Sequence, residues 1–312
     1  QLRRDYVKEI RGLLQARATN RSSRRYAPRG FSDRKVQLIR YVFSSDGVLP
    51  PSGERLVEGI AEYERRSAAP EGGAASLEQL KARLSDSHQP MAQRRAVVKA
   101  IVQQGGQEAV DALLGMLLVE DDTTLRYELI RGLTKLRLRS HRLEFPQHLI
   151  RRQIAKEVQT CQHIARVAVI YRNNAGAVGQ HDGVLQLLGL LMEEGIEQIF
   201  RLLGMIYRPK DIYLIYNQLR EPDAYVRADA MELLDNLIDP SVRWLIFPIL
   251  DENQFLERVT GQADEPLVEP EDSLRLLQQS VWDHHRWLSL TVIGMAGQLR
   301  LRLLLPELER AL

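Results

Sequence analysis

The chain has little cysteine, few aromatics and no long apolar run. A single cysteine, Cys161, in 312 residues excludes an internal disulfide and suits a reducing compartment. The uncharged run at 287–299 spans 13 residues, short of the roughly 18 that a membrane-crossing helix requires. No secretory leader opens the sequence, which starts in charged residues at Gln1-Leu-Arg-Arg-Asp5. An opening at glutamine instead of methionine is what a segment cut from a longer protein would show. No phosphate-binding glycine loop and no nucleophile elbow occurs.

What is present suits a packed core, with 44% hydrophobic and 27% charged residues, ordinary values for a globular protein. The net charge of +2 conceals an asymmetry. Residues 1–40 hold twelve Lys/Arg against three Asp/Glu, whereas 251–272 hold eight acids against one Arg. The first excess predicts an arm, 1–31, that faces an anionic surface. Residues 2–16 read as a short basic amphipathic helix with Tyr6, Ile10 and Leu13 on one side, followed by a polar run to Gly30. Arg3, Arg4, Lys8, Arg11, Arg24, Arg25 and Arg29 are its candidate membrane-facing cations, each worth about 1 kcal/mol when held near an anionic bilayer. The mixture Arg24-Arg-Tyr-Ala-Pro-Arg-Gly-Phe31 also suits nucleic acid, with phosphate contacts beside stacking rings; a solvated arm is the plain alternative. The second excess predicts an acidic loop.

The most informative stretch is Arg220-Glu-Pro-Asp-Ala-Tyr-Val-Arg-Ala-Asp-Ala-Met-Glu-Leu-Leu-Asp-Asn-Leu237. Val226, Ala230, Leu233, Leu234 and Leu237 recur at i, i+4, i+7, i+8 and i+11, so they form one apolar stripe predicted to be buried. Pro222 suits the first helical position, and Asp223 falls in the first turn, four residues before Arg227. Arg227 is thereby sited to tie neighbouring helical units together. Leu125, Arg126, Leu129, Leu133 and Leu136 repeat the same order. Leu288, Val292, Met295 and Leu299 repeat the apolar spacing, with Ser289 where the arginine is expected, so its polar tie must differ. A looser copy covers 76–102. Such copies predict a HEAT-like stack of helical pairs, because one pair cannot bury its apolar face alone.

The chain therefore divides into the arm, a divergent first pair at 32–66, a linker at 67–75, helical repeats at 76–137, a long antiparallel hairpin at 146–207, and further repeats at 208–312 interrupted by the acidic loop 251–272. The hairpin's first arm stays periodic from Ile150 to Ala168, the segment 173–180 makes its turn, and its second arm runs from Val184 to Ile206. Asp223, Arg227 and Arg126 are the candidates for a polar ladder linking the repeats.

Residue pairs that invite chemistry have plainer readings. His284-His285 point about 100° apart on a helix and share an ion poorly, since a helical site wants i,i+4. Cys161 lies on an apolar stripe and reads as a buried structural thiol. Gly105-Gly-Gln107 reads as the turn between two helices, and Asn20-Arg-Ser22 is a sequon only in a secreted chain. No metal and no cofactor is expected.

The segments Glu193-Glu-Gly-Ile-Glu-Gln-Ile-Phe-Arg-Leu-Leu-Gly-Met-Ile-Tyr-Arg-Pro-Lys-Asp-Ile-Tyr213 and Ala230-Met-Glu-Leu-Leu-Asp-Asn-Leu-Ile-Asp-Pro-Ser-Val-Arg-Trp-Leu-Ile-Phe-Pro-Ile-Leu250 resemble the HEAT-repeat extension that follows the membrane domain in bacterial ADP/ATP-carrier-like transporters of the major facilitator type. Leu2-Arg-Arg-Asp-Tyr-Val7 is similar to the exit from their last spanning helix. The resemblance is best over 183–250 and 282–299 and poor over 17–75. It implies a non-catalytic scaffold on the cytoplasmic face of the bacterial inner membrane, with the arm (residues 1–35) against the anionic bilayer and a protein partner or the attached transporter as its target. The nucleotide-handling residues of such transporters lie in the membrane part, and none maps here. The rival is a HEAT-fold enzyme acting on DNA, of the alkylpurine glycosylase kind. That reading needs a basic concave face, whereas the basic excess sits in the arm and the remainder of the chain is acidic overall.

Overall fold

The computed structural model describes residues 76–174, 183–250, 270–281, 285–299 and 304. The expected arm 1–31, the pair 32–66, the linker 67–75, the turn beyond residue 174 and the acidic segment 251–269 lie outside the described residues. The described residues form eleven α-helices and no strand: α1 (Leu77–Ser85), α2 (Met91–Gln104), α3 (Gly106–Val119), α4 (Thr123–Arg139), α5 (Gln147–Asn174), α6 (Gly183–Ile206), α7 (Pro209–Gln218), α8 (Ala224–Leu237), α9 (Pro240–Leu250), α10 (Pro270–Val281) and α11 (Arg286–Gln298). The fold is all-α. Two compact units divide them. The larger holds the described residues within 76–163 and 192–250, and the smaller holds 164–174, 183–191, 270–281, 285–299 and 304.

Local chemistry fixes most helix starts in the larger unit. Ser76 caps α1 reciprocally, its hydroxyl accepting from Gln79 N while the Gln79 amide oxygen accepts from Ser76 N. Asp122 caps α4, accepting from Thr124 N and Leu125 N at 2.9 and 3.2 Å. Between α2 and α3 the chain reverses at Gly105 and Gly106, whose φ of +71° and +80° lie in the left-handed region where a Cβ is strained. The glycine pair is thus the turn that its position between two amphipathic stretches predicts.

Helix α2 packs on α1, α3 and α4, and α3 packs on α4. The α2–α4 seam is close because Gly132 carries no side chain. A Cβ there would stand 3.0 Å from Val102 Cγ2 and 3.3 Å from Val98 Cγ1. Arg95 meets Glu128 and Arg139 meets the Val102 carbonyl on the same seam, so the two helices run in the same direction. Leu113 and Leu117 of α3 and Leu125, Leu129, Ile130 and Leu133 of α4 are fully buried.

Helix α5 is 28 residues long, about 42 Å at 1.5 Å per residue, and it includes Asn173 and Asn174, which the sequence pattern had assigned to a turn. The Asn174 amide bonds the Ile170 carbonyl, prolonging the last turn. In the larger unit the Cys161 thiol of α5 lies at Gly195 of α6.

Two further boundaries and one burial pattern differ from the sequence reading. Residues 270–272, assigned to the acidic loop, form the first turn of α10, where proline and acids are favoured. Pro222 precedes helix α8, whose N-cap is Asp223. On α8 only Ala230 and Leu234 of the five stripe residues are buried; Val226 and Leu237 are half-buried and Leu233 is 48% exposed. Neighbours cover one side of this helix and leave the flank of the stripe in solvent. In the smaller unit α10 packs on α11, burying Leu277 and Val281 together with Trp287, Leu288, Val292 and Met295.

Candidate functional site

One bond recurs along the chain. The fourth residue of each of four helices reaches back to a carbonyl at or just past the end of the helix before it. Arg94 of α2 donates Nε to the Leu84 carbonyl at 3.0 Å. Arg126 of α4 donates Nη1 to Leu117 and Glu120 at 3.1 and 3.2 Å. Arg227 of α8 donates Nη1 to Glu221 and Pro222 at 2.9 and 2.8 Å. Ser289 of α11 donates its hydroxyl to Val281 at 2.5 Å. Terminal helix carbonyls lack intrahelical partners and carry the negative end of the dipole, so a cation or hydroxyl there satisfies both. Ser289 shows how the third copy makes its tie without an arginine.

In the larger unit two of these arginines also reach into the next pair. Arg94 pairs with Glu120 Oε2 at 2.5 Å, and Glu120 Oε1 in turn accepts from the backbone N–H groups of Asp121 and Asp122. Arg126 pairs with Glu157 and donates to Gln153 on α5. Side chains of both pairs are at least nine-tenths buried. Lys156 donates to the Glu120 carbonyl and pairs with Asp121 at 2.8 Å. The series Arg94, Glu120, Arg126, Glu157 therefore joins α2, the α3–α4 turn, α4 and α5. Burying such charges costs several kcal/mol per ion unless each is paired and hydrogen-bonded, and here each carboxylate meets an arginine that also donates to a backbone carbonyl.

The predicted ladder residues fall unequally on this series. Arg126 sits inside it. Arg227 occupies the same helical position, but the bonds described above run within its own turn. Asp223 is the cap of α8, its carboxylate accepting from Tyr225 N at 2.9 Å. Arg94, Glu120 and Glu157 were missed by sequence reasoning. A signal existed for the first, because Arg94 stands 32 residues before Arg126 at the same place in its helix. Arg3, Arg4, Lys8, Arg11, Arg24, Arg25 and Arg29 lie outside the described residues.

The exposed faces differ in charge. Helix α2 carries three basic residues and no acid, and α4 carries five basic residues and one acid, Glu128. The basic excess is thus not confined to the arm. Glu128 is buried and held by Arg95 at 2.7 Å. Lys99, Lys135 and Arg139 are exposed. The Lys135 ammonium is pushed below its ordinary value, by partial burial first and then by Arg131, with Lys99 and Arg139 adding to it. Tyr127, mostly buried beside Arg131, has its phenol raised by burial and then by Glu197. Farther along, α8 is acidic, and Tyr225 and Trp244 are 84% and 76% exposed.

Residues with chemical potential are occupied structurally. Cys161 is fully buried and its thiol is raised by burial, which disfavours the thiolate. The Gln107 amide clamps the Glu144 backbone, donating to its carbonyl at 3.0 Å and accepting from its N–H at 2.9 Å. His285 Nδ1 accepts from Leu288 N at the start of α11. Among the described residues no three His, Cys, Asp or Glu side chains gather where they would share a metal ion, and no helix is long and apolar enough to cross a membrane. No family model, no curated protein and no solved structure matches the chain.

Proposed function

We propose that this chain is a non-catalytic helical-repeat scaffold of the HEAT type, acting as the cytoplasmic interaction or regulatory domain of an ADP/ATP-carrier-like transporter. One observation carries the scaffold half of the reading: the fourth-residue bond to the preceding helix end recurs at Arg94, Arg126, Arg227 and Ser289. The same bond at one place in four helical pairs is what a chain built from like units is expected to show. The resemblance over 183–250 supports the transporter half, and the basic arm suits the cytoplasmic side of a bilayer.

The glycosylase reading would use the basic α2–α4 face on DNA with a solvent-facing carboxylate and an aromatic wall. On that face the one acid, Glu128, is paired with Arg95, and the aromatic, Tyr127, is mostly buried. These features favour the scaffold.

The reading frame upstream of Gln1 is the decisive observation. A bundle of spanning helices encoded there is the expected result; a frame without one removes the transporter. Release of bases from alkylated DNA by the purified chain would remove the scaffold. The arm is expected to bind vesicles containing phosphatidylserine in a salt-sensitive manner that is lost on deleting residues 1–35, and equal binding to neutral vesicles refutes the electrostatic account.

A further inference from the structure

We propose that the α2–α4 seam is a docking strip for an acidic amphipathic helix of a protein partner, with Lys99, Lys135 and Arg139 taking its carboxylates and Leu138 its apolar row. This deepens, and rests on, the scaffold reading above. Arg131, Lys135 and Arg139 follow one another at four-residue spacing, so their charges rise along one side of α4 about 6 Å apart. Lys99 of α2 lies close enough across the seam for its charge to act on Lys135. Neither Lys99 nor Lys135 forms an ion pair among the described residues. Arg95 and Arg131 are half-buried behind them, and both turn toward Glu128. Helices α2 and α4 thus crowd cations on one face, and the one carboxylate these two helices carry, Glu128, is already engaged.

Crowded like charges raise the energy of the bare surface, and an anion arriving there relieves it. The nature of the anion follows from the neighbour. Leu138 is 60% exposed and stands three residues after Lys135, on the same side of α4. A phosphate backbone gains nothing from an exposed leucine, and among the described residues no exposed aromatic stands on this seam to stack a base, since Tyr127 is mostly buried beneath Arg131. An amphipathic helix with carboxylates every fourth residue beside an apolar row matches the cation spacing and covers Leu138 as well.

The test uses the whole chain and a labelled helical peptide of about 18 residues, long enough to form a helix, with glutamates every fourth position beside a leucine row. Comparison probes are a scrambled peptide of the same composition, a short DNA duplex and phosphatidylserine vesicles. Fluorescence anisotropy should show salt-sensitive binding to the patterned peptide, weaker for the scramble. Lys99→Ala with Lys135→Ala should weaken it about tenfold, the effect of two surface charges within their usual range, with melting temperature unchanged or raised. Leu138→Ser should weaken the patterned peptide and leave the scramble unaffected.

Tighter binding of duplex or vesicles than of peptide overturns the partner class. Peptide binding unaltered in the double variant overturns the strip while leaving the scaffold reading intact, as does absence of any peptide binding by a correctly folded chain. The scaffold reading itself fails separately, on base release from alkylated DNA.

Discussion

Arg126 is the place where the reasoning about buried charge is most exposed to test. Its side chain is 4% accessible and that of Glu157 is 6%, so replacing Arg126 by methionine strands a carboxylate in the interior. Breaking a buried pair in this way costs about 3–5 kcal/mol. The Leu117 carbonyl loses the guanidinium as well, whereas the Glu120 carbonyl keeps Lys156. A loss toward the upper end, about 4–5 kcal/mol, is therefore expected for Arg126→Met. Glu157→Gln retains an oxygen acceptor and should cost only about 1–2 kcal/mol, because a charge-assisted bond becomes a neutral one. Arg126→Met combined with Glu157→Leu removes both charges and should recover most of the single-variant loss. Urea unfolding followed by far-ultraviolet circular dichroism measures all three, with unchanged m-values as the condition for comparison. A cost below about 1 kcal/mol for Arg126→Met, or a double variant no more stable than the single one, refutes the account of the pair as a buried and mutually dependent charge.

The other predictions concern the same packing. Arg227→Ala should cost about 1–2 kcal/mol, less than Arg126→Met, because the two carbonyl bonds it loses lie in a half-exposed turn; an unchanged thermal midpoint would refute its role. Gly195→Ala would bring a Cβ to 2.5 Å from the Cys161 sulfur, an overpacking cost of about 1–3 kcal/mol. Adding Cys161→Ala should relieve it, and a double variant less stable than Gly195→Ala alone would show that the two do not meet. Burial raises the Tyr127 phenol and the Cys161 thiol above their ordinary 10.0 and 9.0. The folded chain then holds protons that the unfolded chain releases, so stability is full below pH 9 and falls as pH rises past 9 to 10. Tyr127→Phe with Cys161→Ala should flatten that alkaline loss in urea titrations, and an identical pH dependence in the double variant would contradict it.

Fold class was legible because helix period, caps and turn glycines are local. Ser76, Asp122 and the Gly105-Gly106 pair act on residues within four positions of themselves, and an interaction of that range leaves its mark in the order of residues. Arg126 was legible for the same reason, as one member of a repeating pattern. Arg94 belongs to the same pattern and was passed over because its copy has a looser apolar period.

What the order of residues determined, then, is a succession of amphipathic helices with a repeated polar position. Only the tertiary structure decided which faces are covered, since a period of 3.6 states which residues share a side and not whether another helix lies against it. Leu233 obeys the stripe on α8 and still stands in solvent. The tertiary structure also chose the partners: Glu120 and Glu157 are 26 and 31 residues from their arginines, and packing alone brings them together. The crowding of Lys99, Arg131, Lys135 and Arg139 has the same origin, because two helices 19 residues apart in the chain share one seam at Gly132.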